Sequence, residues 1–132
     1  MTDKYSTVTF GVAKELITPR EPISLMGFGV VFGVNFTDIH DDLYAKTLIL
    51  TDADDETVIL ISLDLCFHDD SLTDALRAYV SERYGVKQSH LHVTYTHTHF
   101  GPILKGYHKH YYTEAYEAFL LDRTCACIDR AL

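Results

Sequence analysis

Runs of apolar residues predict a strand-rich first half of the chain. A weak alternation over residues 7–12 predicts a first strand, and the loop ITPREP (17–22) ends it because two prolines interrupt a strand ladder. The runs LYAKTLIL (43–50) and VILISLDL (58–65) flank the polar segment TDADDET. This pattern predicts a hairpin whose second strand is central to a sheet. The segment LHVTYT (91–96) predicts a further strand.

Two segments have the spacing of amphipathic helices. Residues 68–85 predict one, with Ser71 as its cap, Asp74 in the capping-box position and Gly85 as its C-terminal stop. Residues 111–132 predict the other. Strand, helix and strand with short connections indicate a right-handed βαβ unit with parallel strands. The predicted fold class is therefore α/β, a mixed sheet containing a right-handed βαβ unit, with two main helices.

The segment LMGFGVVFGV (25–34) is apolar but contains three glycines. Glycine disfavours a helix there, and the pattern predicts a loop or irregular strand with close backbone approach. The segment could line a lipid groove or pack in the core. A mixed sheet with two helices would leave edges and one face uncovered. We therefore expect residues 1–132 to be either a single domain or the first part of a larger α/β domain.

Charge and composition exclude some functions. Lys and Arg number 11 against 19 Asp and Glu, so the net charge of −8 disfavours a nucleic-acid partner. The sequence shows no signal peptide and no apolar run of about 18 residues, which favours a cytoplasmic protein without a transmembrane segment. The three cysteines, at positions 66, 125 and 127, are an odd count that argues against a disulfide framework. We expect them to be reduced thiols in the core or on the surface.

The stretch VTYTHTHFGP (93–102) carries the main chemical signal. His97 and His99 would share a face if the strand stayed extended, with Cβ atoms about 7 Å apart. Imidazole nitrogens at that spacing can reach one metal ion. The pair lies at the carboxyl end of a predicted parallel strand, where α/β sheets place their sites. Gly101 and Pro102 would then turn the chain away.

Two further residues are expected at the same edge of the sheet. Asp64 ends the strand parallel to 91–96, where it could bind the metal or orient a histidine ring. His40 precedes the antiparallel strand 43–50, and the beginning of that strand lies at the same edge. A metal site complete within these residues would consist of His40, Asp64, His97 and His99. The alternatives are that the His-x-His pair binds no metal, that Asp64 is a capping group, and that His40 lies in a solvated turn.

Four motifs together resemble a known family. These are VTFGVAKELITP at the start, IHDDLYAKTLIL, SLDL, and THTHFGP one βαβ unit later. In this order they resemble the N-terminal domain of the neutral/alkaline non-lysosomal ceramidases. The resemblance implies that His97 is a zinc ligand and that His99 lies near the metal-bound water or the substrate carbonyl. It also implies further histidine, glutamate and tyrosine ligands from later in the chain, and hydrolysis of an N-acylated sphingoid base to fatty acid and amine.

The resemblance has two departures. Phe100 stands where the family usually has serine, and the later ligands are not among these residues, so the piece is expected to be inactive without them. We predict a zinc-dependent amide hydrolase that acts on a lipid or small-molecule amide. Its metal ligands would be His97, His99 and His40, and its catalytic residues His99 and Asp64. The alternative is a non-enzymatic binding or assembly module that pairs through an open sheet edge, as a homo-oligomer or with the missing C-terminal part.

Overall fold

A four-stranded mixed sheet forms the centre of the protein. The computed structural model describes residues 7–29 and 33–132. Along the chain the elements are β1 (Thr9–Leu16), β2 (Leu25–Met26), β3 (Tyr44–Thr51), β4 (Thr57–Leu63), α1 (Asp70–Tyr84), a short 3₁₀ helix (Gln88–His90), β5 (Leu91–Tyr95), β6 (Gly101–Pro102) and α2 (Glu114–Ala131). The strand order in the sheet is β1-β3-β4-β5. The α/β fold class predicted from the sequence is confirmed.

The pairing of the strands follows the prediction. β3 and β4 form an antiparallel hairpin, and β4 pairs in parallel with β5 across α1, with Ile61 opposite Val93. β1 pairs antiparallel with β3 and continues to Leu16, four residues beyond the predicted strand end. The charge of Glu15 made this extension hard to predict from the sequence. In the structure its buried carboxylate is paired with Arg123 and Arg130 of α2. Only the tertiary pairing makes a buried charge tolerable there.

The start of α1 differs from the prediction. Asp69, not Ser71, is the N-cap, because its carboxylate accepts a hydrogen bond from the Leu72 amide at 2.8 Å. The Ser71 hydroxyl instead donates to the same carboxylate at 2.5 Å. Gly85 ends the helix with a φ of 68°, as predicted. The cap brings Asp69 within reach of a later loop, where Gly106 donates to its second oxygen.

Both helices pack on one face of the sheet. α2 contacts β1 and β3, α1 contacts β5, and the two helices contact each other. The buried side chains of Ile59, Ile61 and Leu63 face this layer. On the opposite face, Phe10 and Val12 are 73% and 64% exposed. One face of the sheet is therefore uncovered in the described part of the chain, as we expected for a mixed sheet with two helices.

A two-stranded sheet lies beside the main one. β2 pairs antiparallel with β6, which sets Leu25 opposite Pro102 and Met26 opposite Gly101. The expectation of an irregular strand at the start of the glycine-bearing segment is confirmed for these residues, and positions 30–32 of that prediction lie outside the described residues. Among the described helices, none combines the length and the apolar character that crossing a membrane requires.

Candidate metal centre

The two histidines lie in a tight loop after β5 rather than in the strand itself. β5 ends at Tyr95, and His97 and Phe100 have left-handed φ values of 58° and 65°. The strand therefore does not stay extended, so the condition under which the sequence would place both rings on one face is not met. Positive φ is uncommon for residues other than glycine, costs about 1–3 kcal/mol each and is concentrated at functional sites.

Backbone hydrogen bonds hold this strained loop in place. The amide of His97 donates to the Leu65 carbonyl at 3.0 Å, which continues the parallel ladder past the end of β4. The amide of Phe100 donates to the Met26 carbonyl at 2.6 Å, just before β6 pairs with β2. The loop is thus anchored on the end of β4 at one side and on β2 at the other. This anchoring can offset the cost of the two left-handed residues.

The histidine rings meet through their Nε2 atoms, which are 3.4 Å apart. The hydrogen bonds determine the tautomers. His97 Nδ1 lies 2.7 Å from the Cys66 carbonyl oxygen, and because a carbonyl can only accept, Nδ1 carries the proton. The Nε2 atom of a neutral His97 is then an acceptor, so the contact requires the proton on His99 Nε2. A lone pair of His97 therefore points toward His99.

The spacing of these nitrogens fits a single zinc ion. Two nitrogens at 2.0–2.1 Å from a tetrahedral zinc are separated by about 3.3 Å. The 3.4 Å separation matches this value before any movement of the rings. The hydrogen bond from His97 Nδ1 to a backbone carbonyl is also the arrangement that fixes a metal-binding histidine through its second nitrogen. The residues present therefore fit a metal centre in which His97 binds through Nε2, and His99 could bind through its own Nε2 once the proton there has moved to Nδ1.

A buried thiol lies next to this pair. One donor atom each of Cys66, His97 and His99 lies within 4.8 Å of the other two, and within residues 7–29 and 33–132 this is the cluster of three metal-binding side chains that the structure contains. Cys66 Sγ is 3.8 Å from His97 Nδ1. Burial raises the pKa of the Cys66 thiol. The sequence predicted only a reduced thiol at this position, although its place two residues after Asp64, at the end of a central strand, was a usable signal.

Neighbouring aromatic rings and a glycine position the two imidazoles. Phe67 packs edge-on against His97 with ring centroids 5.1 Å apart, and Phe28 does so against His99 at 4.6 Å. Gly27, with a φ of 123°, passes so close to His99 that an added Cβ would lie 2.6 Å from its Cβ and Cγ atoms. The predicted close backbone approach of this segment is therefore confirmed at Gly27.

Asp64 and His40 have other partners. The Asp64 carboxylate accepts hydrogen bonds from the Tyr44 amide at 3.0 Å and from Lys46 Nζ at 3.1 and 3.2 Å. The His40 side chain is solvent-exposed, and its Nδ1 lies 2.7 Å from an Asp41 oxygen. Neither residue belongs to the cluster of metal-binding groups found in the described chain. A catalytic role for Asp64 and a ligand role for His40 stay predictions.

A groove of about 500 Å³ begins at His99. Its lining is largely apolar and comes from β2, from the loop before β3 and from β6. His40 lies on its rim, which places it on the same groove as His99. Its apolar lining side chains include Leu25, Phe36, Ile39, Leu43, Phe100 and Pro102.

Comparison with known proteins identifies the fold. No family model and no curated protein matches the sequence. Among solved structures, neutral ceramidase from Pseudomonas aeruginosa has a TM-score of 0.82 and 21% identity over 97% of this chain. A ceramidase complexed with C2 has the same TM-score and identity over 96% of it. The chain spans only 22% and 21% of the lengths of these two structures. The resemblance seen in the sequence is therefore confirmed in three dimensions: this chain has the fold of part of a neutral ceramidase.

Proposed function

We propose that this chain carries part of the zinc centre of a ceramidase-like amide hydrolase. The observation that supports it most directly is the 3.4 Å separation of the His97 and His99 Nε2 atoms in a left-handed loop at the carboxyl end of a parallel strand. The fold of neutral ceramidase over 97% of the chain supports the same class of reaction. Ligands beyond these two histidines can come from protein groups outside the 132 residues.

The chain's own residues would prepare the site in three ways. The Cys66 carbonyl keeps the proton on His97 Nδ1, which leaves Nε2 free to bind. Gly27 and Phe28 fix His99 from the side of β2. A bound zinc would act as a Lewis acid on a carbonyl and make hydroxide available near neutral pH. Both histidines are exposed and His99 lines the groove, so a substrate carbonyl can approach them.

The groove supports a substrate with an apolar chain. Leu25, Phe36 and Ile39 present apolar surface along it, and Phe100 follows His99 in its lining. A linear amide could lay its hydrocarbon chain along this surface with the amide at the histidines. We therefore propose an N-acylated lipid amine as the substrate class, with a fatty acid and an amine as products.

The test uses the natural protein that contains these residues. Purified protein should contain zinc, release fatty acid from an N-acyl lipid amide, and lose this activity on treatment with a chelator. His97→Ala should lower both zinc content and hydrolysis, the latter by more than the roughly 10–100-fold typical of residues outside the ligand set. The matched control is His92→Ala, since His92 is an exposed histidine on β5. Equal zinc content and activity in His97→Ala and wild type would refute the proposal.

The uncovered sheet face favours a second function, assembly with another copy of the chain. Phe10 and Val12 lie on the edge strand β1 and expose apolar surface there. Such exposed apolar patches often mark interaction surfaces. Sedimentation of the 132-residue chain should then show a dimer that Val12→Lys dissociates. A monomer at all concentrations would remove this second function and leave the hydrolase proposal unaffected.

A further inference from the structure

We infer that Tyr107 is a positioning residue for His97, which it holds through the intervening ring of Phe67. The inference rests on the proposed function and deepens it, because it concerns how the proposed metal-binding imidazole keeps its orientation. The centroid of the Phe67 ring is 4.5 Å from that of Tyr107 and 5.1 Å from that of His97. Tyr107 does not line the groove beside His99, so its effect on the site would pass through Phe67.

The two histidines lie in the middle of a continuous row of six rings. Neighbouring rings in this row have centroid separations between 4.5 and 5.1 Å. Aromatic pairs attract one another at centroid separations of about 4.5–7 Å. The order along the row is Phe100, Phe28, His99, His97, Phe67 and Tyr107. Each imidazole is therefore supported by a phenylalanine, and each phenylalanine by a further, solvent-exposed ring.

One hydrogen bond does not fix the plane of the His97 ring. The contact of 2.7 Å between Nδ1 and the Cys66 carbonyl oxygen holds a single atom of that ring. The χ2 torsion of histidine is broad, and a hydrogen bond tolerates about 30° of bending before it leaves its preferred range. Phe67 meets the imidazole at an interplanar angle of 87° and restricts this rotation. The position of His97 Nε2 therefore depends on Phe67 as well as on the carbonyl.

Phe67 depends in turn on Tyr107. Its side chain is only partly buried and packs on a small cluster that includes Met26 and Ile103. Tyr107 stacks on it at an interplanar angle of 11°, which covers one face of the phenylalanine ring. Without this stack, that face would be open to solvent and the ring could turn toward it. The restraint that Phe67 places on His97 would then weaken.

The backbone beside Tyr107 is anchored well enough to support a ring. The amide of Gly106 donates to Asp69 Oδ2 at 2.8 Å, and the amide of Lys105 donates to Glu117 Oε1 at 2.6 Å. Asp69 is the N-cap of α1, and Glu117 lies in the first turn of α2. Both helices therefore hold the turn that carries Tyr107, and the row of rings ends on a fixed support.

The experiment compares variants of the natural protein that contains these residues. Tyr107→Leu removes the ring, and Tyr107→Phe keeps it. Tyr111→Leu is the matched control, because Tyr111 is an exposed tyrosine of the same loop that packs on His108. Tyr107 is 47% exposed, so circular dichroism of Tyr107→Leu should match wild type.

The first measurement needs no metal. In metal-free protein labelled with ¹⁵N-histidine, the Nδ1 proton of His97 should give a signal that is identified by its absence in His97→Gln. We expect this signal in wild type, Tyr107→Phe and Tyr111→Leu. In Tyr107→Leu it should broaden or disappear, because a ring that turns loosens the hydrogen bond to Cys66 and exposes the proton to exchange with water.

The second measurement is zinc binding and turnover. Tyr107→Leu should weaken zinc binding about tenfold, the lower end of the effect of residues that orient a metal ligand. At saturating zinc its kcat for an N-acyl lipid amide should fall while KM stays, because Tyr107 lies outside the groove. Tyr107→Phe supplies an equivalent ring and should restore both quantities to within about twofold of wild type.

The outcomes separate this inference from the proposed function. A Tyr107→Leu protein with the wild-type Nδ1 signal and zinc affinity would overturn the positioning role and leave the hydrolase proposal standing. A loss that Tyr107→Phe does not restore, or that Tyr111→Leu reproduces, would overturn it too, since the stack on Phe67 would not be the cause. If His97→Ala leaves the zinc content unchanged, the proposed function fails, and the Nδ1 signal of the metal-free protein still decides whether Tyr107 holds the ring.

Discussion

Replacing Gly27 with alanine tests how the second histidine is positioned. The added Cβ would lie 2.6 Å from the Cβ and Cγ atoms of His99 and 2.7 Å from its Cα. Carbon atoms in favourable contact are about 3.5–4.0 Å apart, so the overlap is roughly 1 Å. The backbone φ of 123° adds strain for any residue with a Cβ. We expect the strained backbone to lower the folding stability by about 1–3 kcal/mol. Overpacking should lower it by a similar amount, unless His99 moves away.

Either response changes a measurable quantity. If His99 stays, the free energy of unfolding in urea should fall by about 2–6 kcal/mol. If His99 moves by roughly the 1 Å that the overlap requires, the separation of the His97 and His99 Nε2 atoms no longer suits a single zinc ion. Zinc affinity should then fall at least tenfold, which is about 1.4 kcal/mol. Gly29→Ala is the control, because an added Cβ there meets nothing within 4 Å. Gly27→Ala with wild-type stability and wild-type zinc affinity would refute this account of the loop.

Two further predictions concern the helix cap and the groove. Desolvation alone would raise the pKa of Asp69, but hydrogen bonds from the first turn of α1 and from Gly106 lower it below its ordinary value. The ionised cap therefore stabilises the fold above the unfolded-state pKa, and this stabilisation is lost as pH falls through the folded-state pKa. Asp69→Asn should lower stability by about 1 kcal/mol at pH 7, because an amide has only one oxygen and cannot accept from both Leu72 and Gly106. The difference from wild type should vanish in acid, as followed by urea unfolding at several pH values, whereas Asp70→Asn should change little. Phe100→Ser should weaken binding of a long-chain amide to the groove by roughly tenfold, or about 1–2 kcal/mol of lost apolar contact, without affecting a two-carbon amide. Calorimetric titration would measure this, and an equal effect of Phe10→Ser on the distant sheet face would contradict it.

Local patterns were sufficient to predict the elements of the fold. Continuous apolar runs indicated β3 and β4, the Gly85 stop indicated the end of α1, and a strand-helix-strand order indicated the parallel pairing with β5. These features depend on neighbours a few residues away. The cap of α1 was mispredicted because Ser71 and Asp69 are both good N-caps, and Gly106 from a distant loop also bonds to Asp69.

The sequence by itself also determined the chemistry available at the site, since a His-x-His motif after a predicted parallel strand places two imidazoles at one sheet edge. The tertiary structure alone decided how they are used. It turned His97 into a left-handed conformation, set Cys66 beside it and placed Gly27 against His99. It also directed Asp64 toward Lys46. These contacts join residues 18 to 72 positions apart along the chain, and only packing of separate strands can bring such residues within a few ångströms of one another.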